Sequence, residues 1–167
     1  MKAVCIQNGE MFHDFDHHWG KFNDTLTLFS FLPLWAGVSM DAGMKKRMIE
    51  DYLLNEKHFN GPCPLPYLAY SDSEYKPDGY WRGRIWPHVT YWMLEALWRE
   101  GYEKEADSMA DRIMGMMAQR EEILENYNSS PDMPGGCAPD ILWSFATYRL
   151  LADRCYRDPV IGKITSK

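Results

Sequence analysis

The sequence predicts an all-α fold in which the helices form two concentric layers, as in an α/α barrel or an arc of one. Helical segments that are apolar on nearly every side alternate along the chain with segments that have one polar face. A helix that is apolar all round is buried, whereas a one-sided helix lies at the surface. No convincing strand–helix–strand pattern interrupts this alternation, so inner helices covered by outer helices are expected.

Composition limits the classes of partner. The 167 residues favour a single domain spanning 1–167, and 46% of them are hydrophobic, enough for a core. A net charge of −6 argues against nucleic acid or an acidic membrane as a partner. The chain has no run near the ~18 apolar residues of a membrane span, and the apolar stretch at its start is too short for a secretory signal. Four widely spaced cysteines without a Cys-x-x-Cys pair predict reduced thiols and a cytoplasmic protein.

Residues 1–23 are expected to be an irregular or hairpin-like N-terminal segment. Apolar and polar residues alternate over residues 12–16, which is typical of a strand. The nearby His13, His17 and His18 match no closed zinc pattern, so a solvated polar loop is expected there. We expect neither a metal ion nor a cofactor.

Two helices are predicted next. Residues 24–36 are apolar nearly all round, with Asp24 as a plausible N-cap and Pro33 as a point where the helix kinks or ends. Ser39 or Asp41 then caps a second helix that extends to about Leu54. That helix has an apolar stripe on one side: Met44, Met48, Ile49 and Tyr52.

A long connection separates these helices from the next pair. Residues 55–79 are rich in Pro and Gly, and their aromatic side chains argue against disorder, so an ordered loop over a site is expected. A buried helix follows over residues 86–100 and ends at Gly101. A one-sided helix then covers residues 103–119, with its apolar stripe on Ala106, Met109, Ala110, Ile113 and Met117.

The chain closes with a loop and one more helix. Residues 120–138, here called the Glu125 loop, are rich in Gly and Pro towards their end. Pro139 or Asp140 opens a mostly apolar helix to about Arg154, which the alternation predicts to be buried. Residues 155–167 are expected to be a frayed tail.

Residues 80–87, here called the aromatic octet, read Tyr-Trp-Arg-Gly-Arg-Ile-Trp-Pro and precede the third predicted helix. Pro87 suits a first helical turn, and Gly83 lets another group approach the backbone closely. Aromatic faces and guanidinium groups at the mouth of a helix suit a polar ligand with apolar faces, such as a sugar. The alternative is ordinary packing, with Trp81 and Trp86 as core anchors and the arginines solvated.

The most interesting carboxylate is Glu125. It is followed by Asn126, Tyr127 and Asn128, all able to hydrogen-bond a sugar or to orient a water molecule. Taken alone, a glutamate in a polar loop is more often simply solvated than catalytic.

Five motifs together resemble glycoside hydrolase family 63 and its relatives, a group of α-glucosidases and mannosylglycerate hydrolases with trehalases as distant kin. They are Phe-Leu-Pro-Leu-Trp-Ala-Gly at 31–37, the aromatic octet, Gly-Tyr at 101–102, Glu-Asn-Tyr-Asn at 125–128 and Trp-Ser at 143–144. They cover the C-terminal part of that family's catalytic domain, in family order. Two departures are Arg84, where the family commonly has proline or another uncharged residue, and residues 129–132, where a threonine-glycine turn is common.

The resemblance implies an (α/α)6 toroid of the six-hairpin glycosidase type that cleaves glycosidic bonds with inversion. In that mechanism one carboxylic acid protonates the leaving oxygen and a second carboxylate activates water. Glu125 falls on the family's general-base position. The expected substrate-binding positions are Trp81, Arg82, Trp86 and, more weakly, Trp143, together with the neighbouring Asn126 and Tyr127.

No residue of this chain corresponds to the family's general acid, an aspartate upstream of residue 31. The sequence therefore predicts about half a barrel of five or six helices, whose inner helices leave apolar walls exposed. Without that acid the isolated chain is expected to be inactive or very weak. A homodimer or a separate chain would complete the site, or the chain is a truncated product of marginal stability. The ligand would be an oligosaccharide or small glycoside. The alternatives are a non-catalytic carbohydrate-binding or assembly module on the same half barrel, or a helical interaction domain.

Overall fold

The computed structural model describes residues 6–7, 11–132 and 135–156. Near the N-terminus β1 (Ile6–Gln7) pairs with β2 (Met11–Phe12), and β3 (Phe15–Asp16) pairs with β4 (Lys21–Phe22), both antiparallel. These short pairs agree with the predicted hairpin-like segment. In the described ranges the α-helices are α1 (Leu32–Trp35), α2 (Ala42–Arg47), α3 (Pro87–Arg99), α4 (Glu103–Met117) and α5 (Leu142–Cys155). Most of the predicted frayed tail, from residue 157 onward, lies outside the described residues.

The helix α3 is the centre of the fold, because α1, α4 and α5 all pack against it. It begins at Pro87, where the missing N–H costs no intrahelical hydrogen bond, and the chain turns after it at Gly101 with φ +89°. The next helix, α4, buries its whole predicted stripe: Ala106, Met109, Ala110, Ile113 and Met117. The predicted boundaries and faces of this helical pair are confirmed.

The second predicted helix is also confirmed, with a change of winding. Both Gly43 N and Met44 N donate to Asp41 Oδ1, so Asp41 is the N-cap of α2. A π-helix (Met48–Leu53) continues α2 and buries Met48, Ile49 and Leu53. The apolar stripe therefore stays on one side of the segment although the helical period changes.

The predicted helix over residues 24–36 is wrong at its start. Residues 23–27 form no helix, and Thr27 is extended with φ −116° and ψ 166°. Around it Leu28 N donates to Tyr67 O at 2.9 Å and Ala69 N donates to Leu26 O at 3.1 Å. These bonds to the long loop replace helical ones, and Asp24 caps nothing. A 3-10 helix (Leu28–Phe31) follows and leads directly into α1, in which Pro33 lies within the first turn rather than at the end.

The last helix, α5, departs most from expectation, because its large apolar side chains are exposed rather than buried. It buries Ser144, Thr147 and Leu151, which lie on one helical face. The exposed apolar side chains on its other faces are Leu142, Trp143, Phe145 and Leu150. These exposed apolar side chains match the expectation that the inner helices of half a toroid leave apolar walls exposed.

Candidate functional site

The aromatic octet lies between two other segments and holds them together. On one side Ile85 and Tyr127 exchange both backbone hydrogen bonds, at 2.8 and 2.9 Å. On the other side the long loop of residues 55–79 donates from Tyr67 N to Arg84 O at 3.0 Å and from Lys76 N to Arg82 O at 2.8 Å. The octet, the long loop and the Glu125 loop therefore form one surface at the start of α3.

Two glycines permit this close packing. A Cβ on Gly83 would lie 2.1 Å from Lys76 O, and one on Gly136 would lie 1.7 Å from Asn126 O. The first confirms that Gly83 allows another group to approach the backbone. The second shows that Gly136, towards the end of the Glu125 loop, packs directly on the backbone of Asn126, a contact that the sequence did not reveal.

The two tryptophans of the octet have different roles. Their rings stack in parallel, with centroids 4.0 Å apart and an interplanar angle of 4°. Trp86 is 3% exposed and donates from Nε1 to Tyr80 O, whereas Trp81 is 45% exposed. Trp86 is therefore a core anchor beneath Trp81, and only Trp81 offers a large ring surface to a ligand.

Glu125 faces the octet, and both donors that reach its carboxylate bind the same oxygen. Tyr80 Oη and Asn126 Nδ2 each donate to Glu125 Oε2 at 3.1 Å. Within the described residues, Oε1 has no hydrogen-bond partner. The backbone of Glu125 is held from both ends, since its N–H donates to Ala138 O and its C=O accepts from Ser144 Oγ. The carboxylate is thus oriented, with one oxygen left for a ligand or water.

Two predicted binding residues, Asn126 and Tyr127, are buried behind Glu125. Asn126 is fully buried, and its amide contacts Glu125 on one end and Arg84 Nη1 on the other. Tyr127 is 2% exposed, and its hydroxyl accepts a hydrogen bond from Leu124 N at 2.9 Å. Burial also raises the pKa of Tyr127. In this chain Asn126 supports the carboxylate, and Tyr127 packs the core of the loop instead of reaching the surface.

The other two predicted residues, Arg82 and Trp143, lie on the surface. Arg82 Nη1 is 3.4 Å from Glu74 Oε2 in an exposed ion pair of the kind worth about 0–1 kcal/mol. Trp143 is half-exposed, and its ring centroid is 5.7 Å from that of His88. Ser144, the residue after Trp143, bonds the backbone of Glu125, whereas Arg82 is directed to Glu74.

The site includes two residues that sequence reasoning did not select, Tyr80 and His88. Partial desolvation of this exposed side chain, with the carboxylate of Glu125 adding to it, raises the pKa of Tyr80, so its hydroxyl remains a donor. Burial lowers the pKa of His88, which the charge of Glu125 partly opposes. His88 Nδ1 is buried and unpartnered within the described residues. Tyr80 belongs to the octet and His88 directly follows it, so this segment was the sequence signal that could have found both residues.

The described parts of the chain show no set of three or more His, Cys, Asp or Glu side chains placed to hold a metal ion. His13 Nδ1 instead contacts Asn23 O, and the backbone N–H groups of His18 and Trp19 donate to Asp16. Among the described helices, none has both the length and the apolar character needed to cross a membrane.

Comparison with solved structures identifies the fold. The GH63 mannosylglycerate hydrolase from Thermus thermophilus in complex with glucose superimposes with a TM-score of 0.74 and 22% identity, covering 90% of this chain and 36% of that one. Its complex with Tris and D-glycerate gives 0.73 at 21% identity, covering 89% and 35%. Neutral trehalase from Saccharomyces cerevisiae gives 0.72 at 17% identity, covering 97% and 29%. The chain thus has the fold of part of a six-hairpin (α/α)6 toroid and spans about a third of the length of these solved relatives.

Sequence comparison agrees with the fold. A mannosylglycerate hydrolase from Rubrobacter radiotolerans is 32% identical over 57 residues, which are 34% of this chain and 13% of the relative. The family described as the mannosylglycerate hydrolase MGH1-like glycoside hydrolase domain matches residues 2–144. Since that match covers most of the 167 residues, this chain belongs to the MGH1-like glycoside hydrolase family.

Proposed function

We propose that this chain supplies the general base and part of the sugar-binding surface of an inverting glycoside hydrolase. The single observation that carries the proposal is the asymmetry at Glu125. Two donors fix Oε2, while Oε1 has no partner among the described residues. A general base needs a fixed carboxylate with an oxygen free to accept a proton from water.

In the proposed reaction Glu125 Oε1 takes a proton from a water molecule. The water oxygen bonds to the anomeric carbon as the bond to the leaving oxygen breaks, and a general acid protonates that leaving oxygen. In inverting enzymes the two carboxyl groups are about 6.5–9.5 Å apart, which leaves room for the water. The proposal assigns the base to Glu125 and leaves the acid to a segment outside residues 1–167.

The exposed ring of Trp81 is the proposed platform for the sugar, with Trp143 as a second apolar wall. Trp81 is supported by the stacked Trp86 beneath it, so its ring is rigid before a ligand binds. Trp143 adjoins Ser144, which holds the Glu125 backbone. Arg82 is the proposed polar contact at the rim, provided that the ligand displaces it from Glu74.

The proposed substrate is a small α-glycoside such as mannosylglycerate. The solved Thermus relative was crystallised with glucose and with D-glycerate, which supports a sugar linked to a small acid.

The proposed compartment is the cytoplasm, which the free thiols of Cys63, Cys137 and Cys155 support. Light scattering of the purified chain tests whether a second copy completes the site.

The test uses α-mannosyl fluoride and α-glucosyl fluoride, because fluoride leaves with little help from a general acid. The isolated chain is expected to release fluoride and to form the β-sugar, seen by NMR. Glu125→Gln is expected to lower the rate by roughly 10²–10⁴-fold, the usual contribution of a general base, while sugar binding is retained. Glu122→Gln is the matched control, since Glu122 is exposed in the same loop.

Azide provides a second test of the assigned base. In Glu125→Ala, azide can displace fluoride without losing a proton, so a glycosyl azide of inverted configuration is expected. Equal fluoride release by the wild-type chain and Glu125→Gln would show that Glu125 is not the base. Sugar binding without any fluoride release above buffer would favour the alternative, a non-catalytic carbohydrate-binding module.

A further inference from the structure

Arg84 is a charged residue at the point where the octet departs from the pattern of the resembling family, and the proposed mechanism leaves it without a role. Arg84 is half-buried, and its guanidinium packs against the Glu125 loop. Nε donates to Asp78 O at 2.9 Å, and Nη1 lies 3.1 Å from Asn126 Oδ1 and 2.8 Å from Cys137 Sγ. The side chain is therefore anchored at one end by the long loop and directed at the residue beside Glu125.

These contacts determine which way the Asn126 amide points. A guanidinium group has only donors, so the end of the amide that faces Arg84 must be the oxygen. The NH2 end then faces Glu125 Oε2, where it donates at 3.1 Å. An ionised carboxylate has only acceptors, so the reverse orientation would set two acceptors against each other at Glu125 and two donors at Arg84.

We propose that Arg84 is a positioning residue that fixes the Asn126 amide and, through it, the carboxylate of Glu125. The inference rests on the proposed function only for its catalytic consequence. Asn126 is fully buried, and among the described residues Arg84 is the side chain that donates to its amide oxygen. Without Arg84 the amide oxygen loses its charged partner, so the orientation of the amide depends on its bond to Glu125 alone and the amide is held less firmly.

The first experiment observes the Asn126 side-chain amide by ¹H–¹⁵N NMR, with Asn126→Ala to assign the signal. Arg84→Met is expected to shift the signal and to speed hydrogen exchange of its two protons by roughly tenfold, as loss of one hydrogen bond allows. Arg82→Met is the matched control, because Arg82 is two residues away in the same octet and pairs with the exposed Glu74. An Asn126 signal that is the same in Arg84→Met and Arg82→Met would overturn the proposal.

The second experiment separates action through Asn126 from a direct effect of charge. In fluoride hydrolysis Arg84→Met is expected to lower kcat and leave KM unchanged, since Trp81 is not disturbed. In an Asn126→Ala background the same change is expected to have little further effect. If Arg84→Met lowered kcat as much in the Asn126→Ala background as in the wild-type chain, the proposed action through Asn126 would be overturned.

Two further features keep the test decisive. If Arg84→Met does not fold, Arg84→Lys keeps the charge but cannot bond Asp78 O and Asn126 Oδ1 together, so a smaller change of the Asn126 signal in the same direction is expected. An unchanged signal in Arg84→Lys would count against the proposal. The NMR measurement needs no substrate, so it can fail while Glu125 remains the base, and it can succeed if Glu125 is not the base.

Discussion

Replacing Gly83 by alanine should destabilise the chain by about 1.5–4.5 kcal/mol, because the new methyl group meets backbone rather than a movable side chain. The added Cβ would lie 2.1 Å from Lys76 O, and 3.0 Å is the closest approach that real Cβ atoms show. Lys76 or Gly83 must therefore move by about 0.9 Å, the difference between those two distances. Overpacking of this kind costs about 1–3 kcal/mol. The shift also strains the 2.8 Å bond from Gly79 N to Lys76 O, which is worth about 0.5–1.5 kcal/mol.

Urea denaturation followed by tryptophan fluorescence measures this change in the free energy of unfolding. Gly115→Ala is the control, because Gly115 is exposed in α4 and an added Cβ meets nothing within 4 Å. That substitution should stabilise the chain by up to about 1 kcal/mol, since alanine favours a helix over glycine. Opposite signs for the two variants are expected. A change of Gly83→Ala within about 0.5 kcal/mol of zero, the range of ordinary surface substitutions, would refute the packing argument.

Two further predictions concern His88 and Tyr80. Burial lowers the pKa of His88 below its ordinary value of 6.5. As the pH falls below 6.5, the unfolded chain therefore binds a proton that the folded chain does not. The free energy of unfolding falls as a result. His88→Gln should therefore lose less stability than the wild-type chain between pH 7 and pH 5 in urea titrations, and equal losses would contradict the burial of a neutral ring. Tyr80→Phe removes one of the two donors to Glu125 Oε2, so it should lower kcat for the glycosyl fluorides by less than the roughly 10²–10⁴-fold of losing the base itself. A rate equal to that of the wild-type chain would show that Asn126 alone orients the carboxylate.

Local sequence signals predicted the helical pair α3 and α4 almost to the residue. Pro87 and Gly101 mark where α3 begins and where the chain turns after it, and the apolar stripe of α4 repeats at helical spacing. These signals lie within a few residues of what they determine, so no knowledge of distant partners was needed. The cap at Asp41 succeeded for the same reason.

The failures occurred where a distant segment decided the outcome. Residues 24–27 have a helical pattern, yet the backbone bonds of Leu26 and Leu28 to residues 67–69 keep this stretch out of a helix. In α5 the apolar side chains that should be buried are exposed, because the helix turns Ser144 and Thr147 towards its neighbours. Hydrophobic periodicity gives the apolar positions of a helix but not which of its faces meets another element.

The sequence by itself determined the family motifs, the α3–α4 hairpin and the choice of Glu125 as the carboxylate of interest. Only the tertiary structure decided that Trp86 supports Trp81 from beneath and that Tyr127 is buried in the core. It also brought Tyr80 to Glu125 across 45 residues of chain and set Arg84 against Asn126. These contacts depend on how two loops pack around the octet, and the spacing of residues along the chain does not reveal that packing.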